Sequence, residues 1–375
     1  MKFIEVIMNI KPILLVLTSL VCLSLFMFDV QAQSITADST KYPYVLPIWG
    51  QKAQDRGFAD QLQLPFGLNV NYVNAYMDLA ITEFGLTIGG QDLSGIVNTE
   101  TLNFTSVNAT TNGLNYRADA WILPFVNVYA LLSTVTGGTD VSLQPTWKNS
   151  VGETILQLPE FSSSVEFDAL AYGIGTTFIF GWEGYFLSTD VNISRTDTEL
   201  LENQVGYLTL SARAGHRFFL NKNNRDLFVA PYAGIMYRNF IGSKGNNGSI
   251  NFDEVFPGLQ ESFDTRVEDK IETNQDEIDV LSANPIANAD EIAKLKAENL
   301  ALNTIKTTVD DSGLFSTEID YFIRKDLIQT ITFQFGFNLQ INKHWMLRGE
   351  YGVSDSQRFL MTGIQYRFGV RKRGM

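Results

Sequence analysis

Apolar and polar residues alternate in about ten segments of the chain, and the clearest of these segments is residues 328–341. Ile331 and Phe333 lie on one face of this segment, whereas Thr332 and Gln334 lie on the opposite face. Successive side chains of a β-strand point to opposite faces of its sheet, so this alternation predicts a strand. Because similar segments recur along most of the chain, the pattern predicts an all-β fold.

The last alternating segment, residues 358–368, carries Leu360, Ile364, Tyr366 and Phe368 on one face. A soluble sheet buries its apolar face, whereas a transmembrane barrel turns that face outward to lipid and keeps polar residues inside. Across the segments, the opposite face is rich in Gly, Ala, Ser, Thr and Asn. We therefore predict a transmembrane antiparallel up-and-down β-barrel of about ten strands, with eight to twelve as the range. A soluble sandwich or lipocalin-like barrel is the alternative.

Short and long connections alternate between these segments, as expected when the short turns lie at one end of a barrel and the long loops at the other. The short turns are 123–124, 181–184, 221–226 and 342–343. The long connections are 79–112, 138–166 and 241–326, with shorter ones at the same end at 196–204 and 354–357. With ten strands, both chain termini lie at the short-turn end.

The N-terminus has the layout of a secretory signal peptide. Lys2 and Lys11 precede the apolar stretch 12–28, and small residues ending at Ala32 follow it. This arrangement of a basic region, an apolar region and a cleavage site predicts a signal peptide over residues 1–32. A single transmembrane helix is the alternative, since about 17 apolar residues are near the minimum that spans a bilayer.

Composition narrows the possible chemistry. The chain has 41 acidic and 28 basic residues, and its net charge of −13 argues against a nucleic-acid partner, which basic residues would have to bind. The single cysteine, Cys22, lies inside the predicted signal peptide. A mature chain without cysteine has no disulfide and no cysteine metal site.

One long connection contains a segment without strand alternation, residues 250–312, which is rich in helix-forming residues. Two apolar stripes at helical spacing predict a helical hairpin about 30 Å long, with a break over 282–290 and an N-terminal cap near Asn288. The stripe residues are Phe263, Val267, Ile271, Ile278 and Leu281 in the first helix and Ile292, Leu295, Leu302 and Val309 in the second. Three roles are compatible with such a hairpin: a recognition or adhesion element, a lid over the barrel, or a surface elaboration without a specific role. A plug inside the lumen is disfavoured, because ten strands enclose little space.

The chain resembles the outer-membrane β-barrel proteins of Gram-negative bacteria. The features that carry the resemblance are the signal peptide, the alternating strands and the last strand with its Tyr366-x-Phe368 ending. In that family the last strand is read by the barrel assembly machinery, so Tyr366 and Phe368 would be the assembly signal. One departure is that residues 369–375 follow Phe368.

The resemblance implies an outer-membrane location with short periplasmic turns and extracellular long loops. It gives the following organisation: a signal peptide at 1–32, a periplasmic segment at 33–64, the barrel at 65–370 with the extracellular insertion 250–312, and a basic periplasmic tail at 371–375. Outer-membrane lipid and the barrel assembly machinery would be its partners.

Nine charged residues fall on the inner face of the predicted strands. They are Arg117, Asp119, Asp190, Arg213, Arg217, Arg238, Arg348, Glu350 and Arg367. In an open pore, such a set biases selectivity towards anions. In a small barrel, the charges form ion pairs that fill the interior, because unpaired charges there are costly. We favour the second interpretation.

The sequence gives no indication of catalysis. Its only histidines, His216 and His344, lie near short turns, and neither has a serine and an acid at the spacing of a hydrolase. We find no Gly-rich phosphate loop and no metal-binding cluster in the sequence, so we predict no enzyme activity and no cofactor.

On this basis we expect the chain to be a small pore, or a binder or transporter of a small solute. A non-conducting surface barrel whose loops and helical hairpin bind a partner is the second hypothesis. A lipid-modifying outer-membrane enzyme is the third.

Overall fold

The computed structural model describes residues 41–373 except 59–60, 89–90, 96, 150, 199–202, 242–244 and 316. The predicted signal peptide therefore lies outside the described residues. The strands are, in chain order, β1 (Phe66–Ile88), β2 (Gln91–Asp92), β3 (Phe104–Leu123), β4 (Val126–Leu143), β5 (Thr146–Lys148), β6 (Thr154–Gln157), β7 (Phe161–Trp182), β8 (Tyr185–Thr198), β9 (Val205–His216), β10 (Phe218–Asn221), β11 (Asn224–Ile241), β12 (Gly245–Ile250), β13 (Ile319–Leu327), β14 (Ile331–Gln340), β15 (Trp345–Val353) and β16 (Gln357–Phe368). The helices are α1 (Gly50–Asp55), α2 (Thr99–Leu102), α3 (Phe252–Val255), α4 (Leu259–Leu281) and α5 (Ala289–Ser312).

Ten strands close into an antiparallel barrel in the order β1-β3-β4-β7-β8-β9-β11-β14-β15-β16. The closing strand is β1, which pairs with β3 on one edge and with β16 on the other. Leu68, for example, lies opposite Ala118 in β3 and Tyr366 in β16. Closure leaves the barrel without a free edge, which is the condition for a sheet to span a membrane. The predicted fold class and strand number are confirmed.

The outer face of the barrel carries an exposed apolar band. Phe333 and Phe335 are 57% and 53% exposed, although both are large apolar side chains. On β7 the band runs from Leu170 to Trp182, which corresponds to about 30 Å along the axis for a strand tilted by about 40°. This height matches the hydrocarbon core of a bilayer. The band therefore identifies the outer face as the lipid-facing surface.

Several strands continue beyond this band at the long-loop end, and their sequence-based ends were wrong. β1 continues to Ile88, β4 to Leu143, and β7 begins at Phe161. The outward residues of this β7 extension are exposed and polar, namely Ser162, Ser164, Glu166 and Asp168. Because the extension faces water, its outer positions need no apolar residues, and the alternation that predicts a membrane strand is lost. For the same reason, β12 and β13 were predicted to be parts of a loop.

Pro231 lies in the middle of β11 without causing a bulge. It lies opposite Phe337 of β14 in regular register. On the other edge of β11, the pairing with β9 begins only at Tyr232, which lies opposite Gly215, and the pairing with β10 ends at Val229. Pro231 therefore lies at the break between β9 and β10, where its missing N–H removes no ladder hydrogen bond.

Short turns join β3 to β4, β7 to β8 and β14 to β15 at one end of the barrel, which we call the short-turn end. The segment 41–58 packs across this end. The Ile48 amide donates to the Ile122 carbonyl at 2.9 Å, and the Trp49 ring lies 6.1 Å from that of Phe125. The amide of Val45 donates to the Val370 carbonyl, so both ends of the described chain meet here.

The helical hairpin stands at the opposite, long-loop end and consists of α4 and α5. Its two helices bury the predicted stripes, and Val267 and Leu302 are completely shielded from solvent. Asn288 is the N-cap residue of α5, so the predicted start of the second helix is confirmed. The Asn288 side chain makes no capping bond to α5 and instead donates to the Leu281 carbonyl at the end of α4.

The base of the hairpin belongs to a structure that we call the cap, comprising β2, α2, the β5–β6 hairpin, α3, and the adjoining turns of α4 and α5. Its core is apolar and buried, and it includes Leu102, Leu143, Trp147, Phe252, Phe263 and Phe315. A salt bridge of 3.0 Å between Lys294 of α5 and Glu153 also ties the hairpin to the turn between β5 and β6. This contact lowers the pKa of Glu153 and raises the pKa of Lys294.

In the described part of the chain, no helix is long and apolar enough to cross a membrane.

Placing a lysine in the apolar band tests whether the band contacts lipid. Phe335→Lys is expected to destabilise the barrel by about 2–4 kcal/mol in lipid vesicles, because the charge would face hydrocarbon. Ser162→Lys, on the polar extension of β7, is the control and is expected to change stability by about 0–1 kcal/mol. Urea unfolding followed by tryptophan fluorescence measures both values. Equal effects for the two variants would contradict the lipid-facing assignment.

Candidate functional site

The inner face of the barrel holds the candidate site, and its short-turn half is filled by polar side chains around Asp119. The carboxylate of Asp119 is inaccessible to solvent and lies 3.0 Å from Arg367 Nη2. It also accepts hydrogen bonds from Asn69, Asn127 and Gln365. These groups come from β1, β3, β4 and β16, so one carboxylate holds four strands together. The cluster forms the floor of the lumen, and Arg367 Nε donates to the Leu64 carbonyl below it.

A second cluster surrounds Glu350, which is 3% exposed. Its carboxylate lies 2.6 Å from Arg348 Nη2 and 3.1 Å from Arg213 Nε. Tyr232 Oη and Gln334 Nε2 each donate to it at 2.7 Å. With these four donors, the buried carboxylate is paired and fully hydrogen-bonded, which is the condition for burying a charge at tolerable cost.

Asp190 extends the Glu350 cluster across the lumen. Its carboxylate lies 2.5 Å from Arg213 Nη1 and accepts a hydrogen bond from Thr177. Arg213 of β9 therefore bridges Asp190 on β8 and Glu350 on β15, two strands that are separated in the barrel by β9, β11 and β14. This bridge places a continuous polar layer across the barrel.

Two tyrosine rings complete this layer, and glycines make room for them. The Tyr129 ring lies under the Arg117 guanidinium, with 3.7 Å between the guanidinium carbon and the ring centroid. A Cβ on Gly175 would lie 2.4 Å from Tyr129 Cζ, and a Cβ on Gly336 would lie 2.6 Å from Tyr232 Cζ. Both glycines are thus required by the close approach of a ring to the neighbouring strand.

Above the polar layer lies a cavity of about 1020 Å³. A small apolar cluster of Ala75, Met236, Phe359 and Met361 lines the same cavity as the Glu350 cluster. The wall towards the long-loop end is largely apolar and includes Leu79, Phe84, Phe104, Val141, Phe167 and Phe240. The volume is at the upper end of the range for small-molecule sites.

The cap covers this cavity at the long-loop end. Phe252 and Phe256, which are 1% and 4% exposed, lie between the cavity and the core of the cap. Glu254 and Glu318 also line the cavity but are exposed to solvent, so they mark its rim. Ser249 donates to Glu318 at 2.7 Å on the same side. The cavity is therefore closed below by ion pairs and roofed above by aromatic side chains.

The structure brings seven of the nine predicted lumen charges into these two clusters, and they are Arg117, Asp119, Asp190, Arg213, Arg348, Glu350 and Arg367. Arg217 lies apart at the short-turn end, with its guanidinium 5.9 Å from the ring centroid of Phe228. Arg238 lies higher, in the wall of the cavity. The nine residues therefore form a floor and a central layer of seven residues, with Arg217 apart at the short-turn end and Arg238 isolated in the cavity wall.

Lys325 and the roof residues Phe252 and Phe256 were not predicted as site residues. Lys325 points into the cavity from β13. This strand alternates over only a few residues, and it lies in a connection that was predicted to be a loop. The roof residues carry no local signal of their role, because only the packing of the cap brings them over the lumen.

Both histidines lie at the short-turn end. The His216 ring packs against Tyr185 and Phe218, with ring centroids 4.5 and 4.6 Å apart. His344 Nδ1 lies 2.8 Å from the Arg367 carbonyl oxygen. Among the described residues, no three His, Cys, Asp or Glu side chains come together as a metal-binding group.

No protein-family model and no curated protein matches the chain. Among solved structures, the chain is similar to the β domain of the Bordetella autotransporter BrkA, with 11% identity, coverage of 81% of this chain and 100% of that chain, and a TM-score of 0.34. It is also similar to the outer membrane protein OprG from Pseudomonas aeruginosa, with 8% identity, coverage of 83% and 99%, and a TM-score of 0.33. The translocator domain of the autotransporter NalP from Neisseria meningitidis is 9% identical, with coverage of 85% and 95% and a TM-score of 0.31. At these values the likeness carries no argument about residues or activity, and the fold class rests on the strand pairing described above.

Proposed function

We propose that this chain, a transmembrane β-barrel of the bacterial outer-membrane type, binds a small solute with an apolar body inside its lumen. The observation that carries the proposal is the cavity of about 1020 Å³ between the polar layer and the cap. Ligand sites of this kind are concave, mostly apolar, and contain a few polar groups. In this proposal the barrel takes up the solute from the long-loop end, which is the extracellular side, and holds it within the membrane.

The polar layer argues against a freely conducting pore. Together with the floor around Asp119 it contains seven paired charged side chains, which come from β3, β8, β9, β15 and β16. Opening a path for ions requires breaking buried ion pairs, and removing one partner of such a pair typically costs about 3–5 kcal/mol. Passage of the solute to the short-turn side would therefore need a rearrangement of this layer.

The cap acts in this proposal as the lid that the sequence analysis considered for the helical hairpin. Its α3 segment contributes the roof residues, and the hairpin base anchors them through Phe263 and Val267, both completely buried. The tip of the hairpin is different, because Val280 and Ile286 are 75% and 92% exposed there. This exposure supports the second hypothesis, a surface barrel whose hairpin binds a partner.

The remaining assignments are proposals of the same standing. Outer-membrane lipid surrounds the apolar band, and the barrel assembly machinery reads Tyr366 and Phe368 of the last strand. The chain acts without catalysis and without a cofactor.

Two measurements on the refolded full chain test the proposal. In planar bilayers, the protein is expected to give no steady single-channel conductance. In lipid nanodiscs, with empty nanodiscs subtracted, it is expected to bind one molecule of the uncharged fluorophore N-phenyl-1-naphthylamine in a saturable manner. A stable open conductance, or a lack of saturable binding, would overturn the proposal.

A matched pair of tryptophan variants locates the bound probe. Ala169 lines the cavity, whereas Ala118 is exposed on the outer face. Ala169→Trp is expected to weaken binding by about tenfold or more, since the indole occupies the cavity. Ala118→Trp adds the same group towards lipid and is expected to leave binding unchanged. Equal effects would assign the probe to the protein–lipid boundary.

A further inference from the structure

Arg238 differs from the arginines of the floor and of the polar layer, because it has no carboxylate partner among the described residues. Arg117, Arg213, Arg348 and Arg367 are each within 4.0 Å of a carboxylate oxygen. The only hydrogen bond of the Arg238 guanidinium within the described part of the chain goes to Met236 Sδ at 3.8 Å. Thioether sulfur is a weak acceptor, so the five N–H donors of this guanidinium are poorly satisfied.

The surroundings of Arg238 are apolar on both sides along β11. Met236 below it is 4% exposed and belongs to the small apolar cluster, and Phe240 above it packs against Tyr207 with ring centroids 4.8 Å apart. Arg238, Met236, Phe240 and Tyr207 all line the cavity. A guanidinium thus lies at the boundary between the polar layer and the apolar wall, and it faces the cavity.

A charge in such a place is costly unless an opposite charge and hydrogen bonds compensate it. Within the described residues the protein supplies no such anion, and the cavity beside Arg238 has room for one from outside. Guanidinium groups bind carboxylates, sulfonates and phosphates through paired hydrogen bonds, which are stronger than bonds between neutral groups.

We propose that the bound solute is an amphipathic anion whose acidic head group binds Arg238 and whose apolar body fills the cavity towards the cap. This inference rests on the proposed function, since it names the chemical class of the ligand in the same cavity. The apolar body would contact Phe84, Phe104, Phe167 and the roof residue Phe256.

The other charged groups of the upper cavity fit this orientation. Lys325 lines the same cavity from β13 and adds a second positive charge without a carboxylate partner in the described part of the chain. The carboxylates Glu254 and Glu318 are exposed at the rim, where water screens them. The acidic head group is therefore expected to lie deep in the cavity, away from the rim.

A pair of probes with one aromatic framework tests the inference. The anionic fluorophore 8-anilinonaphthalene-1-sulfonate and the uncharged N-phenyl-1-naphthylamine differ in the sulfonate group. The full-length protein in nanodiscs is titrated with each probe, as the wild type, as Arg238→Met and as the control Arg358→Met. Arg358 is an exposed arginine over the Tyr76 ring, outside the cavity.

We expect Arg238→Met to weaken binding of the anionic probe by about 10- to 100-fold and to leave binding of the uncharged probe within about twofold. Arg358→Met is expected to change neither. If Arg238→Met leaves the anionic probe unaffected while the wild type binds both probes, the head-group assignment is wrong and the proposed function stands. If the wild type binds neither probe, both proposals fail. Heat modifiability on a gel verifies that each variant is a folded barrel.

Discussion

Replacing Glu350 with glutamine is expected to destabilise the barrel by about 3–5 kcal/mol, which is the largest effect that we predict for a single conservative change. The carboxylate is 3% exposed and is the shared partner of Arg213 and Arg348. Glutamine keeps the size of the side chain but removes the negative charge. Two guanidinium groups would then lie close together in the lumen with only Asp190 to compensate them.

Urea unfolding of the protein in lipid vesicles, followed by tryptophan fluorescence, measures this effect. Glu166→Gln is the matched control, because Glu166 is an exposed carboxylate on the outer face of β7 and its loss is expected to change stability by less than about 0.5 kcal/mol. The double variant Glu350→Gln with Arg348→Gln is expected to recover part of the loss, because Arg213 keeps its contact with Asp190. A loss below about 1 kcal/mol for the single variant would show that the polar layer does not hold the barrel together.

The second large effect concerns the cap. Phe263→Ala is expected to destabilise the cap by about 3–5 kcal/mol while the barrel remains folded. Phe263 is completely buried, and its ring lies 5.5 Å from both Trp147 and Phe315. Removing the ring leaves a void at the point where the hairpin base joins the β5–β6 hairpin. The barrel strands contribute to the core of the cap only through residues near their long-loop ends, such as Leu86 of β1 and Leu143 of β4, so unfolding of the cap does not require the membrane-spanning parts of the strands to separate.

Hydrogen exchange of the refolded protein separates the two regions. We expect faster exchange over α3, α4 and α5 in Phe263→Ala and unchanged exchange in the barrel strands. Ile286→Ala at the hairpin tip is the control, since Ile286 is 92% exposed and its truncation removes little packing. If the cap is the lid, the uncharged probe also enters the Phe263→Ala protein faster than the wild type. Unchanged exchange, or loss of the whole barrel, would contradict the description of the cap as a separate unit.

Much of the fold was accessible from the sequence because it depends on local periodicity. The lipid-facing side of a strand needs an apolar residue at every second position, so Phe333, Phe335 and their neighbours identify both the strand and its outer face. The helical hairpin was accessible for the same reason, with a period near four that places Phe263 and Val267 on one face. The alternation of short and long connections then indicated an even number of strands, with both chain termini at the short-turn end.

The strand ends and the cap were not accessible in this way. Beyond the membrane, a β-strand loses the requirement for apolar outer residues, as Ser162 and Glu166 on β7 illustrate. The cap core joins residues from distant parts of the chain, such as Trp147 and Phe315. Which of many apolar loop residues meet in such a core depends on three-dimensional packing and leaves no periodic trace.

For the charged residues of the lumen, the sequence predicted the general arrangement but not the individual ion pairs. Alternation predicted that Asp119 and Arg367 face inward, and the general cost of unpaired charges predicted ion pairs. The particular pairs follow from barrel closure, since the antiparallel pairing of β1 with both β3 and β16 brings these two residues to within 3.0 Å.

The sequence by itself determined the all-β class, the outward apolar face, the parity of the connections and the helical insertion, because each of these follows from the spacing of residues along one or two elements. Tertiary structure alone decided that the lumen is divided into a polar layer and a capped cavity, and that Arg238 lies in the cavity instead of joining the ion pairs. The physical reason is that ion pairing and enclosure depend on the distances between atoms of different strands, and the closed register of the barrel sets those distances.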